Sequence, residues 1–236
     1  MAPRGYALCA APRSGTNYLC QLLASTGVLG RPLEYFNGES RRLLDWPDYP
    51  DDPQLQLKAV LERGSTPNGV YGLKVFAYQA DMAADTGWPT ALPNLSFIRL
   101  RRMDRLGQAI SWARAEQTQS YRSTVPPRGE PAYDARLIYR RLRDVIREEA
   151  RWSLYFARIG VSPLELTYES LVAGPQTAVA AVAALMGVRP APAIDPSAVE
   201  VQPQRDALSA LWRTRFIEEH GDPARVDRLG GKKAAG

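Results

Sequence analysis

Histidine is almost missing: His220 is the only one in 236 residues. Imidazole-based triads and histidine metal centres are therefore nearly excluded, and any general base must be another side chain. Cysteine is scarce as well. Cys9 and Cys20 have no metal-type spacing and read as core thiols of a reducing compartment. No apolar run approaches the roughly 20 residues of a membrane span. The N-terminal one, which superficially resembles a leader, is broken by Arg13. A soluble, cytoplasmic protein without an integral membrane segment is expected. Long basic blocks are absent too: Lys and Arg total 30 against 25 Asp and Glu, a net charge of +5, spread along the chain. That distribution points to a small, highly charged anion and away from nucleic acid. There is no internal repeat, and 236 residues suit one α/β domain better than two.

The most informative stretch is the N-terminal one. Tyr6 to Ala11 has the length of a strand buried on both faces, and Pro12 ends it. Thr16 to Thr26 then places Leu19, Leu22 and Leu23 on one helical face, with Gly27 at the C-terminal cap. Between them the amides of Ser14, Gly15, Thr16 and Asn17 form an unpaired first turn, Gly15 allows close approach, and Arg13 adds a permanent charge: an anion cradle. The loop alone reads equally as an ordinary turn with Ser14 as N-cap and Arg13 on the surface.

Asn37 to Pro67 is expected to be an irregular segment with a short helical patch around Leu55 to Leu61. Val70 to Phe76 reads as a strand whose Lys74 either snorkels to the surface or, at a carboxyl edge, faces the anion. Leu95 to Leu100 is a second buried strand, ending in the run Arg99-Leu100-Arg101-Arg102 and followed by a helix with Asp104 as N-cap. This second cationic turn at a helix N-terminus is expected to make another phosphate contact. A long helix over Ala132 to Ile159, a strand at Leu164 to Tyr168, and helices over Gln176 to Met186 and Gln204 to His220 follow; Asp222 to Gly236 is expected to be a flexible tail, disordered from Gly230. Alternating strands and helices predict an α/β fold, a central parallel sheet with helices on both sides over residues 1–221, and ligands beyond the carboxyl ends of the strands.

The first loop carries no G-x-x-x-x-G-K-[ST] motif, and the strand ending in Leu100 leads to arginines where a magnesium-holding acid would stand. Two cationic turns without those features suit a nucleotide phosphorylated at two places. Pro12-Arg13-Ser14-Gly15-Thr16, Pro32-Leu33-Glu34-Tyr35-Phe36, the run from Thr66 to Lys74, Arg102-x-Asp104 with Gln108 to Ser111, Gln117 to Gln119, and Gln204-x-Asp206 with Ser209, Trp212 and Arg215 together resemble the bacterial trehalose 2-sulfotransferase family. The likeness runs from about Tyr6 to Phe216.

The resemblance implies a P-loop-like sulfotransferase fold, 3′-phosphoadenylyl sulfate (PAPS) as donor, no metal, a carbohydrate or glycolipid acceptor, and a homodimer. It places the donor's 5′ end at Arg13, Ser14, Gly15, Thr16 and Asn17, and its 3′-phosphate at Arg102 with Gln108 or Ser111. It makes Glu34 the general base, and Arg13 and Lys74 are then the electrostatic stabilisers. Arg31, Lys74 and Gln117 fall with Glu34 in the acceptor-binding group. Without the family pattern Glu34 reads as a surface acid in a turn. The family member acting on trehalose has an acid three positions before the base, where this chain has Arg31; a cation cannot accept a hydroxyl's hydrogen bond, which points to a different glycan. The family's arginine before the C-terminal Gln is replaced by Pro203. An ATP-dependent phosphotransferase and a non-catalytic nucleotide- or sulfated-glycan-binding module are the rival readings.

Overall fold

The computed structural model describes residues 2–121, 126–201 and 207–227. In chain order the elements are β1 (Arg4–Ala10), α1 (Thr16–Ser25), α2 (Gly38–Leu44), α3 (Pro53–Gly64), β2 (Val70–Phe76), α4 (Ala77–Met82), α5 (Trp88–Ala91), β3 (Leu95–Arg101), α6 (Arg105–Thr118), α7 (Ala135–Ile159), β4 (Leu164–Thr167), α8 (Tyr168–Ala173), α9 (Pro175–Leu185) and α10 (Ala207–His220).

The strands form one sheet in the order β2-β1-β3-β4, and every pair is parallel. β1 is central and its side chains divide by parity. Tyr6, Leu8 and Ala10 pack with Leu19, Leu22 and Leu23 of α1 and Val179, Val182 and Ala183 of α9. Ala7 and Cys9 pack on the other face with Val60 of α3 and Trp152 and Phe156 of α7. A strand covered on both faces needs apolar residues in succession, which is why β1 reads as an unbroken run. Trp152 also donates its indole N–H to the Ala10 carbonyl at 3.0 Å, tying α7 to the carboxyl end of β1. Cys9 and Cys20 are buried free thiols. No described helix is long and apolar enough to cross a membrane.

The chain leaves β1 towards one side of the sheet and β3 towards the other, so the loops at residues 12–15 and 102–104 diverge and open a crevice between them. A parallel bridge between Leu33 and Leu73 lays residues 33 and 34 beside β2's outer edge.

Several expectations need correction. The segment after Asn37 is less irregular than expected: the helical patch around Leu55 to Leu61 is the middle of α3, capped by Asp52 with Pro53 at its first position, and a further helix, α2, capped by the Asn37 side chain, precedes it. Tyr168 does not end a strand but begins α8, because Thr167 caps a helix there. The Gln204-x-Asp206 piece, Pro203 and the tail from Gly230 lie outside the described residues. The rest of the C-terminal motif docks α10: Ser209 accepts from Arg114 at 2.6 Å, and Trp212 is buried.

Arg99 and Arg101 do not reach the crevice. Arg99 donates to the Glu149 carbonyl at 2.9 Å and lies 3.1 Å from its carboxylate, and Arg101 donates to the same carboxylate at 2.9 Å. Glu149 is buried. It shares a helical row with Val145, Trp152 and Phe156, spaced four, three and four, so its place on the inner face was legible from the sequence. Replacing it strips the buried Arg99 of its nearer carboxylate, leaving only Glu165 at 3.6 Å, and strips Arg101 of the carboxylate it donates to. Glu149→Ala is therefore expected to lower unfolding free energy by about 3–5 kcal/mol, measured by urea denaturation; an unchanged midpoint would show the cluster to be structurally idle.

Candidate functional site

The crevice is a cavity of about 690 Å³ lined, among others, by Arg13, Gly15, Thr16, Asn17, Glu34, Lys74, Arg102 and Ser111. The loop from β1 to α1 takes the left-handed conformation at Arg13 and at Gly15, with φ of 64° and 90°. Alternation of this kind turns successive amides towards one point. Gly15, not Ser14, is the N-cap; it has no capping side chain, and the first turn of α1 has no acid. The first-turn amides and the positive helix end thus remain available to an anion. Gly15 must be glycine: besides its φ, an added Cβ would sit 2.5 Å from the Tyr168 ring. Ser14 is buried and does not line the cavity.

Arg13 is held by Nε donating to Ser111 Oγ at 3.1 Å and by Nη1 donating to the Tyr121 carbonyl. No carboxylate lies within ion-pair distance of it among the described residues. Burial, followed by the nearby Arg102 and Arg114 charges, pushes its pKa below the ordinary value. Arg102 stacks over Tyr168 at 4.8 Å, and its closest carboxylate oxygen, on Asp104, is 3.8 Å away. That acid is engaged elsewhere, accepting from the Gly107 amide and from Arg213. The turn itself offers less than expected. Glu169 accepts the Met103 and Asp104 amides at 3.1–3.2 Å, which leaves the Arg102 side chain as that turn's contribution.

At the other end of the cavity Lys74 lies in β2, and its backbone amide donates to Leu33 at 2.9 Å. This places Lys74 Nζ 2.6 Å from Glu34 Oε1, while Nζ also donates to Asn17 Oδ1 at 2.7 Å. One ammonium thereby links the anion loop to the carboxylate. Glu34 is not a surface acid. Its Oε2 accepts from Gln79 at 2.7 Å and Asn37 at 3.2 Å. Gln79 is locked in turn by accepting the Phe76 amide at 3.0 Å. Burial opposes ionisation of Glu34, but the Lys74 charge and the bonds from Lys74, Gln79 and Asn37 outweigh it and hold its pKa at about 2.

Three expected site residues stand apart. Gln108 is buried and donates to the Pro12 carbonyl at 2.7 Å, supporting the loop from beneath, whereas Ser111 lines the cavity. Gln117 spans Ala132, donating to its carbonyl and accepting its amide, both at 2.9 Å. Arg31 is exposed and, like Gln117, is not among the lining residues. The contrast between Arg31 and an acid therefore does not bear on the inside of the cavity. Gln79, Asn37 and Tyr168 went unrecognised: nothing in their spacing marks them, because each reaches the site through a separate turn.

A model of the Stf0 sulphotransferase family matches residues 5–219. Trehalose 2-sulfotransferase of Mycobacterium tuberculosis is 28% identical over 92% of this chain and 96% of its own length. That of Mycolicibacterium smegmatis is 28% identical over 91% and 94%. Among solved structures, a sulfotransferase domain from the curacin biosynthetic pathway aligns with 15% identity and a TM-score of 0.47, covering 89% of this chain and 82% of that one.

The Glu34 environment has a measurable consequence. A carboxylate whose pKa falls from 4.5 to about 2 on folding contributes stability present above pH 4.5 and lost as pH drops towards 2. The contribution is on the order of a few kcal/mol. Urea midpoints between pH 6 and 3 should therefore fall more steeply for the wild type than for Glu34→Gln; parallel curves would mean that the ion pair is not formed.

Proposed function

The chain belongs to the Stf0 sulphotransferase family, and on that premise we propose that it moves a sulfuryl group from 3′-phosphoadenylyl sulfate to a hydroxyl of a carbohydrate or glycolipid acceptor. What supports this reading above all is the pair Arg13 and Arg102, the first with no carboxylate in ion-pair range among the described residues and the second 3.8 Å from an Asp104 that Arg213 also holds, both lining one cavity whose far end carries an ionised glutamate. Two half-buried cations facing one space with so little compensating negative charge favour an anion between them. The Arg102 Nε, buried and without a hydrogen-bond partner among the described residues, fits the same need.

The donor supplies an activated sulfur bonded to a phosphate oxygen. Arg13 and the amides from Gly15 to Asn17 bind that end and stabilise charge as the phosphate departs, and Arg102 with Ser111 holds the 3′-phosphate. Glu34 takes the acceptor hydroxyl's proton as the new S–O bond forms, leaving a sulfate ester and 3′,5′-ADP. While Lys74 stays on Glu34, the carboxylate is a poor proton acceptor. In the reacting complex Lys74 turns from Glu34 towards the sulfuryl oxygens, beside Asn17, and Glu34 gains basicity as the base is needed. Gln79 and Asn37 position the carboxylate throughout.

Transfer of labelled sulfate from PAPS onto a panel of glycans and glycolipids tests the reading. Glu34→Gln should lower turnover by at least ~100-fold with 3′,5′-ADP affinity little changed; full activity would remove Glu34 as base. Arg102→Ala should abolish most of the preference for 3′,5′-ADP over 5′-AMP, read by calorimetry; a preference that survives places the 3′-phosphate elsewhere.

A further inference from the structure

We propose that the acceptor is an amphiphile: the hydroxyl presented to Glu34 is carried by a head group with an apolar chain, and that chain lies against Leu43, Leu44, Phe76 and Tyr78. The inference rests on the sulfotransferase reading and specifies the substrate class of that same site.

The sheet order separates the two ends of the cavity. Arg13, Arg102 and Ser111 belong to the β1 and β3 side, whereas Glu34, α2 and α4 lie at and beyond the β2 edge. The acceptor must enter from the second side. There the walls turn apolar. α2 buries Gly38 and Arg41 and turns Leu43 and Leu44 outward, 80% and 40% exposed, and both line the cavity that ends on Glu34. The same cavity is lined by Phe76 and Tyr78, whose rings stack with centroids 6.1 Å apart. Met82, 66% exposed one turn beyond Tyr78, extends the lane into an adjoining hollow that shares Asn37, Glu39, Ser40 and Tyr78 with the first.

A single exposed leucine needs no explanation, but two lining a cavity beside an aromatic pair do. The polar groups that α2 and its cap bring to this cavity, Asn37, Glu39 and Ser40, stand at the first turn, and its last turn contributes Leu43 and Leu44 alone. Asn37 is already committed, through its amide to Glu34 and its oxygen to the Ser40 amide. A second sugar ring would bring hydroxyls that each need a partner, and an alkyl chain brings none. The apolar lane is continuous with the carboxylate's own cavity, so its occupant is part of the molecule whose hydroxyl reaches Glu34.

The test uses the full chain, PAPS, and acceptors that share a head group: glucose against n-octyl β-D-glucoside, and trehalose against its 6-O-octanoyl ester, all below their micelle concentrations. The alkylated member of each pair should show kcat/KM higher by on the order of tenfold or more, chiefly through KM. Leu43→Ser combined with Leu44→Ser should reduce that ratio towards one, with 3′,5′-ADP affinity reporting that the variant is folded. Equal kcat/KM for both members in the wild type, or a preference that survives the double substitution, overturns the proposal. If no acceptor is sulfated, calorimetric affinities of glucose and octyl glucoside in the presence of 3′,5′-ADP read the same preference. Absence of transfer then counts against the proposed reaction, and absence of chain preference counts against the amphiphile.

Discussion

A half-buried cation without a carboxylate beside it is the least comfortable feature of this protein, and Arg13 is that feature. Folding must hold its guanidinium in place with neutral oxygens, from Ser111 and the Tyr121 carbonyl, while Arg102 and Arg114 add repulsion. Such an arrangement persists only when the surrounding structure determines it, and here the parallel packing of β1 between β2 and β3 does so. Three strand ends at one edge bring the loops after each strand together, and the diverging connections leave the crevice open.

Two inward-facing glutamates, Glu149 buried and Glu34 half-buried, decide which of the neighbouring cations remain available. Glu149 neutralises Arg99, Arg101 and, at 3.7 Å, Arg105. These arginines follow one another near Arg102 in sequence, yet they belong to the structural framework. Glu34 takes Lys74, whose single ammonium also reaches Asn17 in the loop after β1. Glu169 similarly occupies the amides of the second turn. What is left for a ligand is the first-turn amides, Arg13 and Arg102: a smaller set than the cation count implies, and one whose members face the same space.

This arrangement also divides labour along the cavity. The β1 and β3 side offers charge and amides, and the β2 side offers a carboxylate framed by leucines and aromatics. A hydroxyl needs one oxygen partner where it reacts and contact elsewhere, whereas a doubly charged phosphate needs charge and amides on several sides. The two ends of the cavity answer those two needs.

The sequence by itself determined the four strands, the helices α6 and α7, and the glycine turn after β1, because apolar runs, a single glycine and the capping acid Asp104 act locally. It also marked Arg13, Arg102, Lys74 and Glu34 through the pattern of motifs. Only the tertiary structure decided that Gln108 supports the loop from beneath, that Gln117 and Arg31 stay outside the cavity, and that Gln79 and Asn37 hold Glu34. The physical reason is that a charge's role depends on which opposite charge lies within about 4 Å. Residues tens of positions apart come within that distance only after the sheet has assembled.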